Sequence, residues 1–339
     1  MTEINQQYKP TDFKSDQEVR WCPGCGDHAI LNSMLKSMAN IGYPKEKVVV
    51  VSGIGCSSRF PYYVSTYGFH GIHGRASSIA SGIKVANPEL CVWQITGDGD
   101  ALAIGGNHFI HTVRRNIDVN IILFNNEIYG LTKGQYSPTS KMGAITKTSP
   151  FGTVEPPFRP GELVIGAQGH FFARTIDVMV QLSSDVFEEA AKFNGTSVVE
   201  ALVNCVIYQD GAHEAISNKE FRDDRTIILK HGEKMIFGKD KNKGLVLDGM
   251  KLKVVTVGQD GYTLNDILVH DVKEPNPGIH LMLTNMRNPE FPIALGVIRS
   301  VNDTPYETRV TEQIAEIQKQ TKIKNMDDLL NSGDIWHVK

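Results

Sequence analysis

Leu90-Cys91-Val92-Trp93-Gln94-Ile95-Thr96 runs directly into Gly97-Asp98-Gly99-Asp100, and Asn120-Ile121-Ile122-Leu123-Phe124 runs into Asn125-Asn126, with 25 residues between Gly99 and Asn125. Each apolar run has the length and side-chain types of a buried strand, and Asn107 to Arg115 between them has a helical pattern. Strand, glycine turn, helix and strand make a unit whose two strands lie parallel, with the helix across them. Working outward, further strands are expected at Lys47-Ser52, His170-Arg174 and Ser197-Val203. Helices are expected at Asp27-Asn40, Ser77-Ala86, Gly161-Gln168 and Ser184-Asn194, several of them opened by Ser, Asp or Asn caps. The fold class that follows is α/β, a doubly wound parallel sheet ending near residue 205.

After that point the pattern changes. Met235-Ile236-Phe237, Gly244-Leu245-Val246-Leu247 and Leu252-Lys253-Val254-Val255 read as short strands separated by Gly- and Lys-rich turns. Asp271 to Pro292 is punctuated by Pro and Asn, and Thr311 to Gln320 is a polar helix pattern. We therefore divide the chain into an N-terminal segment (1–20), a cofactor-binding domain (21–209) and a C-terminal extension (210–339).

The 339 residues suffice for one large or two modest domains. With 35 basic and 38 acidic residues the net charge is −3, so no strong field draws the chain to nucleic acid or to an anionic membrane. Met1 to Gln17 is polar and carries no signal-like apolar stretch, and runs such as Val48 to Val51 are far too short to span a bilayer. A soluble cytoplasmic chain is expected.

Four of the five cysteines, Cys22, Cys25, Cys56 and Cys205, have spacings that invite a metal centre. Trp21-Cys22-Pro23-Gly24-Cys25-Gly26 supplies the C-x-x-C pair that often holds half of an iron-sulfur cluster. Structural zinc sites and redox pairs use the same spacing, although neither remaining cysteine sits at a zinc-ribbon distance. Cys91, among strand formers, reads as a core residue. An odd count without disulfide-like spacing fits a reducing compartment.

In a parallel sheet, ligands collect at the carboxyl ends of the strands. Three turns follow such ends: Gly53-Ile54-Gly55-Cys56-Ser57-Ser58, Gly97-Asp98-Gly99-Asp100, and Asn125-Asn126 with Glu127-Ile128-Tyr129-Gly130-Leu131-Thr132. Glycines let backbone N–H groups close on a phosphate, and Asp98 with an Asn amide offers hard oxygens for Mg²⁺. A nicotinamide site fits less well, because Ser58 stands where a third glycine belongs. His108 and His111 share a helical face without an acidic or thiol partner nearby in sequence and are read as packing or solvated residues. Arg114 and Arg115 suit a helix C-terminus, and Arg59 and Arg75 serve anion contacts or surface pairing equally well.

The Gly-Asp-Gly and Asn-Asn pair resembles the thiamine diphosphate motif. Together with Tyr67-Gly68-Phe69-His70-Gly71-Ile72-His73-Gly74-Arg75, Lys133-Gly134-Gln135-Tyr136-Ser137-Pro138-Thr139 and Asn204-Cys205, the motifs resemble the beta subunits of the 2-oxoacid:ferredoxin oxidoreductases, above all those acting on 2-oxoglutarate. The likeness runs in order from about residue 20 to residue 300. It implies the thiamine diphosphate-binding fold and a 4Fe-4S cluster on Cys22, Cys25, Cys56 and Cys205. It further implies Mg²⁺ on Asp98, Asn126 and the Ile128 carbonyl. Ile54, Gly55, Cys56, Ser57, Gly97, Gly99, Asp100, Gly130 and Leu131 would line the diphosphate. His73 would stand beside the cofactor and Lys133 near the entry for substrate or coenzyme A. A backbone-bonded buried histidine is an alternative for His73, and a solvated loop lysine for Lys133.

The same likeness implies oxidative decarboxylation of a 2-oxoacid with coenzyme A to acyl-CoA and CO₂, with electrons leaving through the cluster to ferredoxin. No carboxylate in these motifs is placed to activate the aminopyrimidine ring, and the resemblance assigns that acid to an alpha subunit. Extra ferredoxin-like C-x-x-C runs are absent from the sequence, as in the simpler two-subunit type. A pyruvate-specific or broad-specificity relative, a non-oxidative thiamine diphosphate decarboxylase component and a zinc-stabilised interaction module are the competing readings.

Overall fold

The computed structural model describes residues 7–338. Residues 1–6 of the expected N-terminal segment lie outside that range. Strands β1 (Val48–Ser52), β2 (Tyr67–His70), β3 (Cys91–Gly97) and β4 (Asn120–Asn125) are followed by a two-residue pair, β5 (Ile128–Tyr129) and β6 (Gln135–Tyr136). Then come β7 (Phe171–Ile176), β8 (Ser197–Leu202), β9 (Thr226–Leu229), β10 (Ile236–Phe237), β11 (Lys243–Asp248), β12 (Lys251–Thr256) and β13 (Ile293–Ser300). Every residue of β1, β4, β7 and β8 is buried. That is why these strands read as unbroken apolar runs: a parallel sheet covered on both faces has no solvent side.

Eight strands form the main sheet in the order β2-β1-β3-β4-β8-β7-β13-β9. The first six run parallel, and β13 enters antiparallel to β7 with β9 parallel to it. Helices α1 (Asp27–Ile41) and α5 (Val180–Lys192) pack together on one face, with Ile30, Met34 and Phe187 in its core. On the other face lie α2 (Ala76–Ala86), α3 (Gly106–Arg115) and α4 (Pro160–Gly166), around Phe109, Val113 and Val164. Helices on both faces of a mostly parallel sheet make the doubly wound α/β fold anticipated from the sequence.

Two expectations change. None of α1 to α5 has a side-chain N-cap; the residues in that position are Gly26, Arg75, Gly105, Arg159 and Met179. These helices are fixed by their buried faces, so tertiary packing outweighs the terminal hydrogen bond a cap supplies. The Asp271 to Pro292 stretch contains a helix, Gly278–Asn285, whose Leu283 is fully buried. Residues 210–339 supply two strands of the main sheet as well as the small antiparallel sheet β10-β11-β12.

Leu295 of β13 is fully buried against Ile176, Leu202 and Ile216. Leu295→Ala is expected to lower stability by roughly 2–5 kcal/mol and to shift one cooperative denaturant transition. A separate early transition confined to the C-terminal residues would show that β13 is not part of the same folding unit.

Candidate functional site

Because β1, β3 and β4 are parallel neighbours, their carboxyl ends present three turns side by side. One cleft at these ends is lined by Ile54, Gly55, Cys56, Ser57, His73, Gly97, Asp98, Gly99, Asp100, Asn126, Ile128, Gly130 and Leu131. Asp27, Ile104, Phe124, Tyr129 and Thr132 also line it. Lys133 does not; it sits exposed on the following turn with φ +77°. His73 is exposed in this chain and lines the cleft.

Asp98 is buried at the floor. Its Oδ2 accepts from Ser137 Oγ at 2.6 Å and from the Thr139 hydroxyl. Burial pushes its pKa up to about 6, against the pull of these hydroxyls. Asn126 Oδ1 accepts from the Ile128 amide at 3.1 Å, an Asx turn that orients the side chain. The adjacent Asn125 points elsewhere, donating from Nδ2 to Glu200 Oε1 at 2.8 Å. Of the Asn-Asn pair, only Asn126 therefore serves the cleft. Asp98, Asn126 and the Ile128 carbonyl are the hard oxygens available to a divalent cation.

Asp100 lines the cleft, and its carboxylate also ties the turns together. Oδ1 accepts from the amides of Gly74 at 2.7 Å and Ile54 at 3.2 Å, while Oδ2 accepts from Thr96 Oγ1 at 2.9 Å. Gly99 lies flat beneath the Tyr129 ring; a β-carbon on Gly99 would come within 2.1 Å of it. Tyr129 donates its hydroxyl to the Gly99 carbonyl at 3.2 Å, and its phenol is raised to about 12, first by burial and then by Asp98 and Asp100.

The four motif thiols gather beside the cleft. A β-carbon on Gly130 would stand in ordinary contact, 3.5 Å from Cys56 Sγ and 3.6 Å from Cys205 Sγ, so this turn lies against both sulfurs. Cys25 interacts electrostatically with Cys56 and Cys205, and Cys56 with Cys22. Cys91 lies apart, buried in β3. The C-x-x-C turn is tied to the end of β8 by the Gly26 amide on the Asn204 carbonyl at 3.1 Å. Trp21 Nε1 donates to the Cys56 carbonyl at 2.7 Å. Burial, and then Asp27, pushes Cys56 up to about 12 and Cys25 higher still. Asp27, fully buried, is itself raised to about 7 by burial, with the Cys25 hydrogen bond opposing.

Among the described residues no three His, Cys, Asp or Glu side chains close around a point that would hold a single ion. Tetrahedral zinc needs all its ligands within about 2.3 Å of one centre, whereas the thiolates on a cube of iron and sulfide stand further apart. Four thiols are the donor set that such a cube would take.

The description "Thiamine pyrophosphate enzyme, C-terminal TPP binding domain" matches residues 53–201, from the first turn to the end of β8. The 2-oxoglutarate oxidoreductase subunit KorB of Mycobacterium tuberculosis is 43% identical over 98% of this chain and 90% of its own length. The 2-oxoacid:ferredoxin oxidoreductase 1 beta subunit of Aeropyrum pernix is 42% identical over 64% of this chain and 67% of its own. This chain belongs to the beta subunits of the 2-oxoacid:ferredoxin oxidoreductases. The 2-oxoglutarate:ferredoxin oxidoreductase of Magnetococcus marinus, solved with 2-oxoglutarate, coenzyme A and succinyl-CoA bound, superposes with a TM-score of 0.78 at 28% identity, covering 97% of each chain. Its fold matches the doubly wound sheet described above. No helix among the described residues is long and apolar enough to cross a membrane.

Sequence reading anticipated the turns of this beta subunit but missed Asp27 and Tyr129. Asp27 was visible only as the first residue of an expected helix, and Tyr129 only as part of a motif, without a role.

In the metal-free chain, Asp98 protonation favours the fold. A carboxyl raised from 3.8 to about 6 contributes stability below pH 4 that is lost as pH rises through 6, roughly 3 kcal/mol in all. Asp98→Asn should lower the slope of metal-free thermal denaturation between pH 4 and 7 by that share, leaving the part that Asp27, raised to about 7, contributes over the same range. A slope equal to the wild type's would remove Asp98 as a contributor.

Proposed function

We propose that this beta subunit completes, with an alpha subunit, a cytoplasmic 2-oxoglutarate:ferredoxin oxidoreductase. The reaction is oxidative decarboxylation of the 2-oxoacid with coenzyme A to the acyl-CoA and CO₂, with ferredoxin as electron acceptor. One observation carries this reading: the turn 53–58 lines the cofactor cleft and also delivers Cys56 to the thiol group. Thiamine diphosphate and a 4Fe-4S cluster, when bound, supply the carbon nucleophile with its electron sink and a one-electron relay.

The chain's own residues hold and position these groups. Asp98, the Asn126 side chain and the Ile128 carbonyl hold Mg²⁺ on the diphosphate. The backbone of Ile54 to Ser57, with Gly97, Gly99, Asp100, Gly130 and Leu131, lines the phosphates. Cys22, Cys25, Cys56 and Cys205 ligate the cluster. His73 stands at the exposed mouth, and Lys133, on the outer turn, meets entering substrate or coenzyme A.

Three acids line the cleft: Asp27, Asp98 and Asp100. Asp98 is bonded to Ser137 and Thr139, Asp100 ties two turns, and Asp27 lies by the thiols. In keeping with the family resemblance, the acid that activates the aminopyrimidine is assigned to the alpha subunit. Exposed Ile72, Ile104 and Leu131, close by the cleft in sequence or lining it, give that partner an apolar surface.

Purified anaerobically with its alpha subunit, the wild-type chain should carry about four irons and reduce a one-electron dye faster with 2-oxoglutarate than with pyruvate. Cys56→Ala should lose the iron and the dye reduction while keeping the fold. Full iron content in that variant would sink the cluster assignment, and faster reduction with pyruvate would replace 2-oxoglutarate as the substrate.

A further inference from the structure

Ligand crevices in a doubly wound sheet open where the strand order reverses. This sheet has two such points. From β1 the chain moves outward to β2 and returns to β3 on the other side, which opens the cleft already described. From β4 it passes over to β7 and returns to β8 in between. At the second reversal lies a separate cavity of about 420 Å³, lined among others by Asn125, Phe158, Arg174, Glu200, Arg287 and Ile293. That volume lies in the range of small-molecule sites.

The cavity carries the acids Glu127 and Glu200 against the bases Lys141, Arg159, Arg174 and Arg287, and Arg287 feels both acids; what sets Arg287 apart is its hydrogen bonding. Arg174 is buried and fully engaged: Nε donates to Glu200 Oε2 at 2.7 Å, Nη1 to the Ala294 carbonyl and Nη2 to the Thr284 carbonyl. Both oxygens of Glu200 are used, by Arg174 and by Asn125 Nδ2. Arg287 reaches the same Thr284 carbonyl with Nη1 at 2.7 Å, and the Met286 carbonyl with the same atom. Its Nε and Nη2 have no hydrogen-bond partner among the described residues. Burial and the neighbouring Arg174 lower its pKa to about 10. Of the other charged side chains at the rim, Lys141 pairs with Glu127 at 3.4 Å and Arg159 with Glu162 at 2.8 Å. Arg287 is thus a half-buried cation with a free edge, and a planar anion fits a free guanidinium edge in bidentate geometry.

We propose that this second crevice binds a small organic carboxylate, its head on the free edge of Arg287 and its hydrocarbon body against Phe158, Leu202 and Ile293. The inference does not depend on the function proposed for the first cleft. Binding there satisfies the open guanidinium edge while the apolar walls take the rest of the ligand.

Butyrate is a suitable probe, titrated calorimetrically into the assembled enzyme with thiamine diphosphate and Mg²⁺ saturating the first cleft. Butyrate should bind, and Arg287→Gln should weaken it roughly tenfold or more. Butyramide, of the same shape without charge, should give no heat, and inorganic phosphate should bind more weakly than butyrate. Phe158 is half exposed, so Phe158→Ala keeps the fold, and it should weaken butyrate about threefold without changing phosphate binding. No butyrate heat up to about 20 mM, equal affinity for butyramide, or tighter binding of phosphate would overturn the proposal. So would a butyrate affinity unchanged by Arg287→Gln or, should that variant not fold, by Phe158→Ala.

Discussion

A single chain of buried polar contacts holds the strand ends in register. Thr139 lies between Asp98 and Asn125, and Asn125 donates to Glu200. Glu200 accepts from Arg174, which reaches the Ala294 carbonyl on β13. Arg174 and Glu200 are also direct partners in the β7–β8 register. Each of these side chains is almost fully excluded from solvent. In that low-dielectric setting, leaving one member unpaired costs about 1–3 kcal/mol. The strands therefore cannot slide without breaking several contacts at once, which fixes where Asp98 and Asn126 stand.

The same network separates and joins the two crevices. Asn125 faces the cavity at the second strand reversal, and Asn126, one residue on, faces the cofactor cleft. Successive residues at a strand end point to opposite sides, so the Asn-Asn dipeptide lines two cavities with one backbone.

Much of the cofactor cleft was legible because its chemistry is local. Gly53 to Ser58, Gly97 to Asp100 and Asn125 to Thr132 each follow a run that could only be a buried strand, and the parallel order then brings the turns together. The residues that hold them were not legible. Ser137 and Thr139 act on Asp98 across 39 and 41 residues. Glu200 and Arg174 sit inside apolar strands, where nothing nearby in sequence announces a pair. β13 was missed because it follows a proline-punctuated stretch and joins the sheet against β7 from the far end of the chain, a non-local pairing that leaves no period-2 or turn signal of its own. The absent helix caps have the same origin, since burial of α1 and α5 between sheet and neighbours makes the local signal dispensable.

The raised thiols bear on how a metal centre of the proposed kind is built. Four thiolates packed together beside buried Asp27 would repel one another, and burial pushes Cys25 and Cys56 far above the usual thiol range. In the metal-free chain they stay neutral, so the fold gathers the sulfurs without assembling their charges. In the proposed centre, iron would displace those protons and replace the repulsion by ligand bonds. The anchors that set the geometry, Trp21 on the Cys56 carbonyl and Gly26 on the Asn204 carbonyl, are neutral hydrogen bonds that do not depend on that step.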